Sequence, residues 1–282
     1  MKPSSTLEQA RAKLDARQRP RYADNAPDQF SLWTEPKRGI PNDLARCALF
    51  TCTNPSEPRA EYRSELLVSV RGFELTYSGV ELRQDDLDLW LQIAHMARPK
   101  AGGRFHEVEI TSYGLLMAMG KTDGQKNYAT QRESIDRLNR AHITVVRDGR
   151  KGFQGHLLAW VNWADQPGGK DRRAWRLTLH EDAINLFRPD GFTLLDWQLR
   201  KELKPLEKWV HAFYSTHREP VPYSVKTLLE LCGSKSRVLY SFRAKLKKAL
   251  EELRAREFLL SWEIDPATDA VHVRRNPAKT YG

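Results

Sequence analysis

Between Lys235 and Arg256 the chain carries eight Lys/Arg and two Glu. Within the same window Leu239, Phe242, Leu246, Ala249 and Leu253 recur at alternating spacings of three and four, the pattern of one helix face. That face can pack on a domain while the opposite one meets an anion, and at this density of cations a phosphate backbone is the matching anion. Stepping about 100° per residue from the apolar stripe points Arg237, Tyr240, Ser241, Ala244, Lys247 and Lys248 outward. In a helix laid into a major groove the N-terminal residues reach deepest. Arg237, Tyr240 and Ser241 are thus expected at base edges, and Lys247 and Lys248 at phosphates.

A second candidate reading helix spans residues 125–140. Its core face holds Tyr128, Ile135 and Leu138. Its outward set is Lys126, Thr130, Glu133, Arg137 and Arg140, with Asn127 at the edge. A hairpin is expected after each reading helix, with Arg150 and Lys151 at the tip of the first and Arg274 and Arg275 at the base of the second. The first helix is the less basic. It suits weak base reading, backbone following or a protein contact.

The elements that must position these residues follow from periodicity and turn chemistry. Residues 41–50 read as a first helix, 66–82 as strands broken at Gly72 and Gly79, and 85–98 as a helix ended by Pro99 and Gly102-Gly103. A short strand (107–110), a short helix (111–119) and a turn lead into the helix at 125–140. Residues 143–147 and 153–163 read as a hairpin, 175–179 as a strand and 181–187 as a helix. Pro189-Asp190-Gly191 is the best linker. Beyond it come a helix (205–217), a short helix (224–231), a turn at Cys232-Gly233-Ser234, the basic helix, and a hairpin of 258–264 with 270–274. The order helix, short helix, turn, long helix, hairpin occurs twice, at 85–163 and at 205–275. The expected architecture is α+β: two winged-helix domains (41–190 and 191–276) in tandem, a flexible tail (1–40) and a short C-terminal tail (277–282).

Composition fits this layout. The 282 residues carry a net charge of +10, of which residues 1–40 contribute +3, 41–190 only +1, and 191–282 +6. A focused charge marks a docking face, whereas a uniform one would mark only solubility. No apolar run approaches a membrane span, and Met1 to Thr6 shows no signal peptide. The three cysteines, Cys47, Cys52 and Cys232, are expected as reduced thiols in a cytosol.

Catalytic constellations are not expected. Gly114 to Thr122 misses the phosphate-loop spacing by one residue, and its interior is the apolar run Leu-Leu-Met-Ala-Met. Cys47 and Cys52 lack the further Cys or His ligands a zinc site needs. The eight histidines are scattered along the chain. Tyr128 and Tyr240 lie on the reading helices, but Tyr128 falls on the core face and Tyr240 has no recognisable metal-binding partner set. The reading is a protein without enzymatic activity, cofactor or metal.

The tail holds one further pattern. Gln29-Phe30-Ser31-Leu32-Trp33 resembles the short peptide by which many bacterial proteins bind the replicative sliding clamp. In that pattern a Gln amide fixes orientation and a Leu with an aromatic fills a preformed pocket. Phe30 stands where Leu is usual and Trp33 where Phe is usual. The alternative is that Phe30, Leu32 and Trp33 pack on the chain's own first domain.

Taken with Ile40-Pro41-Asn42-Asp43-Leu44-Ala45-Arg46, the strands over 66–82 and the two winged-helix patterns, this peptide makes the chain similar, from about Asp28 to Arg275, to the TrfA family of broad-host-range plasmid replication initiators. The resemblance implies binding of directly repeated origin sequences (iterons) in double-stranded DNA and opening of an adjacent AT-rich segment, with contact to its single strands. It implies recruitment of the host clamp, replicative helicase and initiator, a dimer–monomer equilibrium, and residence in the bacterial cytoplasm. Two other classes remain open on the residues alone: a dimeric winged-helix transcriptional regulator, with no use for Gln29 to Trp33, and a strand-nicking enzyme.

Overall fold

Buried apolar side chains segregate into two clusters, one drawn almost wholly from Ile40 to Leu195 and the other from Leu203 to Val271. These are the cores of two lobes of an α+β protein. The computed structural model describes residues 34–70, 72–98, 107–147, 149, 151–165, 173–187 and 191–279.

The described chain enters on strand β1 (Lys37–Pro41), helix α1 (Asn42–Ala45) and strand β2 (Phe50–Thr51). Strands β3 (Glu61–Leu67) and β4 (Phe73–Val80) form an antiparallel pair, and β5 (Leu82–Arg83) runs parallel to β2. Helix α2 (Gln84–Ala97) is buried on nearly every side, with Trp90, Leu91 and Ile93 at 0% exposure. It is the central rod of the first lobe. Strand β6 (Val108–Thr111) leads into α3 (Ser112–Ala118), whose N-terminus is capped by the Thr111 hydroxyl accepting from the Gly114 N–H, a bond worth about 1 kcal/mol. Helix α4 (Gln125–Arg140) follows, with the bounds its periodicity predicts.

Strands β7 (His142–Arg147), β8 (Lys151–His156), β9 (Leu158–Asp165) and β10 (Arg173–Leu179) complete two sheets. One has the order β3-β4-β7-β8, the other β6-β10-β9. Helix α5 (Glu181–Ile184) and a 3-10 turn (Asn185–Phe187) close that stretch. Strand β11 (Phe192–Asp196) then pairs antiparallel with β1.

Helix α6 (Trp197–Glu202) connects to the second lobe. There α7 (Pro205–Ser215), strand β12 (Tyr223–Ser224), α8 (Val225–Leu231) and α9 (Leu239–Ala255) precede strands β13 (Leu259–Ile264) and β14 (Ala270–Arg275). The sheet order is β12-β14-β13, the same arrangement as β6-β10-β9. Each lobe thus places a short strand, a short helix and a longer helix ahead of a sheet that the short strand joins.

Three expectations are corrected. Residues 37–40 are not flexible tail: Arg38 and Ile40 are 4% and 0% exposed, held by the β1–β11 pairing. That pairing also places residues 192–196 with the first lobe, beyond the expected boundary at 190. Residues 41–50 are not one helix, because the helical stretch closes at Ala45 and the chain turns back through an isolated bridge between Cys47 and Ser69. Finally, residues 153–163 are not one strand. Leu157 and Leu158 are buried in succession, which breaks the alternation of a single strand. The chain leaves one sheet at that point and enters the other. Gly152 lets β8 lie close to β7, since a Cβ there would collide with the Val145 carbonyl oxygen.

Two histidines of the second lobe give a stability prediction. Burial, reinforced by the Arg200 and Arg275 charges, pushes the pKa of His211 down to about 3. Burial likewise brings His217 to about 4, opposed by its bond to the Phe213 carbonyl. Below the ordinary histidine value of about 6.5 the unfolded chain binds protons that these folded sites refuse. Their contribution is therefore complete above that pH and is lost on acidification toward 4, at about 1.4 kcal/mol per pH unit for the fully buried His211 and less for the partly exposed His217. Urea midpoints measured from pH 7.5 to 5 should fall accordingly, and His211→Leu should flatten the profile by one histidine's slope. An unchanged slope would place His211 in water.

Candidate nucleic-acid interface

Helix α9 buries Phe242, Leu246, Ala249, Leu250 and Leu253 against the second core. This fixes its rotation, so the residues between them face outward. Arg237, Tyr240, Ser241, Ala244, Lys247 and Lys248 all lie on the accessible side, Tyr240 at 76% exposure. Arg237 sits just ahead of the helix, where there is no acidic residue in the first turn to oppose an anion at the positive end of the helix dipole.

Charge pairing divides the cations of α9 into two groups. Arg243 donates to Asp269 at 2.6 and 2.9 Å, tying the helix to the turn between β13 and β14. Arg254 is held by Glu251, and Arg256 by Glu252 and Glu202. Arg237, Lys245, Lys247 and Lys248 have no ion pair with any described carboxylate, so their charge stays available. The helical projection leaves Lys245 beside the apolar stripe, yet it is exposed and joins the outward set.

The β13–β14 hairpin is only partly as expected. Arg274 is exposed, but Arg275 turns back toward the lobe and donates to the Ser215 carbonyl at 2.9 Å. Its burial lowers its pKa. Arg275 is a strut between β14 and the end of α7.

The first lobe presents less charge. Lys126 and Thr130 are exposed on α4. Asn127 spends its amide on the Thr122 carbonyl at 2.8 Å and the Thr122 hydroxyl at 3.1 Å, closing the turn before the helix. Arg137 is corrected from outward to inward: its guanidinium donates twice to Asp86, at 2.9 and 3.1 Å. The carboxylate is fully buried on α2, and the Ser134 hydroxyl also donates to it. Arg140 is 78% exposed, with Asp136 at 3.7 Å. Arg150, the side chain of Lys151 and Gln29, Phe30, Ser31, Leu32 and Trp33 lie outside the described residues. The β7–β8 pair belongs to the four-stranded sheet. By sheet order the counterpart of β13–β14 is β9–β10.

The seam between the lobes fixes where α9 sits. Arg200, at 0% exposure, donates Nε to Asp88 Oδ1 at 2.6 Å and Nη2 to Gln84 Oε1 at 3.0 Å. Lys208 donates to the other Asp88 oxygen. Lys235, in the turn before α9, donates to the buried Glu81 at 2.7 Å. Burial alone would raise the pKa of Glu81, but bonds from Lys235, the Ala60 N–H and Arg83 overcome it and hold the carboxyl at about 2. Gly233 adopts φ +61°, and a Cβ there would press on Thr51 of β2. The turn that aims α9 is thus seated on the first lobe.

These elements define a two-lobed α+β fold that recurs in solved structures. A crystal structure of domains 2 and 3 of RctB, as the selenomethionine derivative, superposes with a TM-score of 0.53 at 14% identity, covering 78% of this chain and 88% of that one. A second RctB domain 2–3 structure gives 0.51 at 15% identity, covering 80% and 96%. The sequence narrows the class further. The TrfA protein family matches residues 8–275, and the chain belongs to that family. The plasmid replication initiator protein TrfA of Escherichia coli is 30% identical over 246 residues, 86% of this chain. The chain spans 63% of that relative's length.

Proposed function

We propose that this protein is a plasmid replication initiator that binds double-stranded origin DNA through two winged-helix modules and has no enzymatic activity of its own. The observation that carries the reading is the outward face of α9: Arg237, Lys245, Lys247 and Lys248 without ion-pair partners among the described carboxylates, beside an exposed Tyr240. In this reading α9 lies in a major groove, Arg237, Tyr240 and Ser241 meet base edges, and the lysines meet phosphates. Helix α4 of the first module follows a neighbouring groove with Lys126, Thr130 and Arg140. Arg274 flanks the second groove.

Membership of the TrfA family supports the finer assignments. They are recognition of directly repeated sites, opening of an adjacent AT-rich segment with contact to its single strands, a dimer–monomer equilibrium, and recruitment of host helicase and initiator in the bacterial cytoplasm. Gln29 to Trp33 is the segment we assign to the host sliding clamp. No described helix is long and apolar enough to cross a membrane, and no cluster of metal-ligating side chains occurs among the described residues.

Footprinting and gel shifts on a plasmid origin bearing direct repeats test the reading. Protection should recur once per repeat, and affinity should fall steeply with salt. Arg237→Ala should weaken binding by about 1–3 kcal/mol at one part of each repeat if the guanidinium is bidentate to a guanine. Equal loss on every sequence would make Arg237 a phosphate contact. Retention on duplex DNA that ignores ionic strength would defeat the proposal.

A further inference from the structure

Two of the three free cysteines meet at the seam. Cys52, just after β2, donates its backbone N–H to the carbonyl of Cys232 at 2.9 Å. Cys232 caps the C-terminus of α8 and opens the turn that aims α9. Beside them Thr53 Oγ1 approaches the Gly233 carbonyl at 3.5 Å. A direct backbone hydrogen bond keeps two Cα atoms within the roughly 4.4–6.8 Å that a disulfide spans. The side chains are near enough to interact, the Cys52 thiol helping to raise the Cys232 pKa, while the Cys232 Sγ donates to the Leu229 carbonyl at 3.3 Å. Cys47, the remaining thiol, lies in the first core with its Sγ on the Leu44 carbonyl at 3.6 Å.

We propose that Cys52 and Cys232 are a peroxide-oxidisable pair whose disulfide joins the two lobes. Cys52 is half-buried and within reach of solvent, whereas Cys232 is 0% exposed. Cys52 therefore meets the oxidant. Its sulfur attacks the O–O bond of hydrogen peroxide, that bond breaks, and one water leaves as the sulfenic acid forms. The Cys232 sulfur then attacks the Cys52 sulfur: the S–S bond forms, the S–O bond breaks, and a second water carries off the remaining thiol proton. Two thiols lose two electrons and two protons, and one peroxide becomes two waters. Burial pushes up the Cys232 pKa, so this sulfur is the less reactive of the two toward peroxide. The backbone bond holds the two residues adjacent, so the second step is intramolecular and competes with further oxidation of the sulfenic acid.

The bond would fix the end of β2 to the turn ahead of Lys235, so the oxidised protein carries its reading helix covalently locked to the first lobe. It goes beyond the proposed function and does not depend on it. The test treats the full chain with hydrogen peroxide, quenches it in denaturant with N-ethylmaleimide, and maps the peptides by mass spectrometry. The expected product is a linked peptide pair, 52 with 232. Labelling of both residues should fall at least about tenfold and return with dithiothreitol, and Cys47 should stay labelled. Thermal unfolding of the oxidised form should shift upward by several degrees. Cys52→Ser should abolish the link and leave Cys232 fully labelled, and Cys232→Ala should leave Cys52 as a trappable sulfenic acid. Sulfinic or sulfonic acid at Cys52 with Cys232 still labelled would overturn the proposal, as would disulfides formed only between copies.

Discussion

Asp88→Ala is expected to cost about 3–5 kcal/mol of folding stability, the usual penalty for removing one partner of a buried charge cluster. Asp88 bridges Arg200 and Lys208, whose side chains are 0% and 13% exposed. Without it, two cations face each other across a seam in which the Arg200 side chain has no exposed surface. The remaining acceptors are neutral: Gln84 Oε1 for Arg200 Nη2, and the Lys208 carbonyl for Arg200 Nη1. Neither balances the charge. Urea unfolding followed by tryptophan fluorescence and by circular dichroism measures the loss, and the two signals should separate once the seam no longer couples the lobes. Asp88→Leu with Arg200→Met should recover much of it, because apolar replacement of a buried pair is often neutral or better. A loss below about 1 kcal/mol would mean that the seam is hydrated in solution.

Charge reversal on α9 is expected to produce the second large effect, this time on binding. Lys247→Glu with Lys248→Glu changes two exposed residues on the side away from Phe242 and Leu246, so stability should move by about 0.5 kcal/mol or less. Duplex affinity should fall at least about tenfold at moderate salt, and the slope of log K against log salt should shrink by about 2, one for each phosphate that is no longer neutralised. Arg254→Glu is the control. Arg254 is already neutralised by Glu251 one turn earlier, so its reversal should change the slope by much less than the paired lysines do. Equal effects of the two variants would assign binding to net charge and deny α9 a directed role.

The sequence was most legible where one element carries its own pattern. The 3,4 spacing from Leu239 to Leu253 fixed the rotation of α9, and the outward placement of Arg237, Tyr240, Ser241, Lys247 and Lys248 follows from rotation alone. Helix α4 was equally readable in extent. Its charge was not, because the fate of Arg137 depends on Asp86, a residue on another helix whose carboxylate is buried beside Ser134. Arg275 misled for the same reason, its acceptor being a carbonyl at the end of α7. Long-range pairing was the other blind spot. Nothing local in Lys37–Pro41 shows that its ladder partner is Phe192–Asp196. The run from 153 to 163 reads as one strand until the buried Leu157–Leu158 step divides it between two sheets. The seam was invisible because Arg200, Lys208 and Lys235 look like ordinary surface cations until Asp88 and Glu81 are set beside them.

The β1–β11 ribbon carries a consequence for biosynthesis. Its first strand emerges from the ribosome early, and its second only after the rest of the first lobe has been translated. Until then Ile40, fully enclosed in the finished fold, lacks the cover of its ladder partner, and the nascent chain presents an unpaired strand edge open to chaperones or to neighbouring polysome products. Completion of this lobe is therefore tied to the elongation clock. Codons that slow translation just after residue 196 has cleared the exit tunnel would favour correct closure, whereas stalling ahead of that point would expose the unfinished edge.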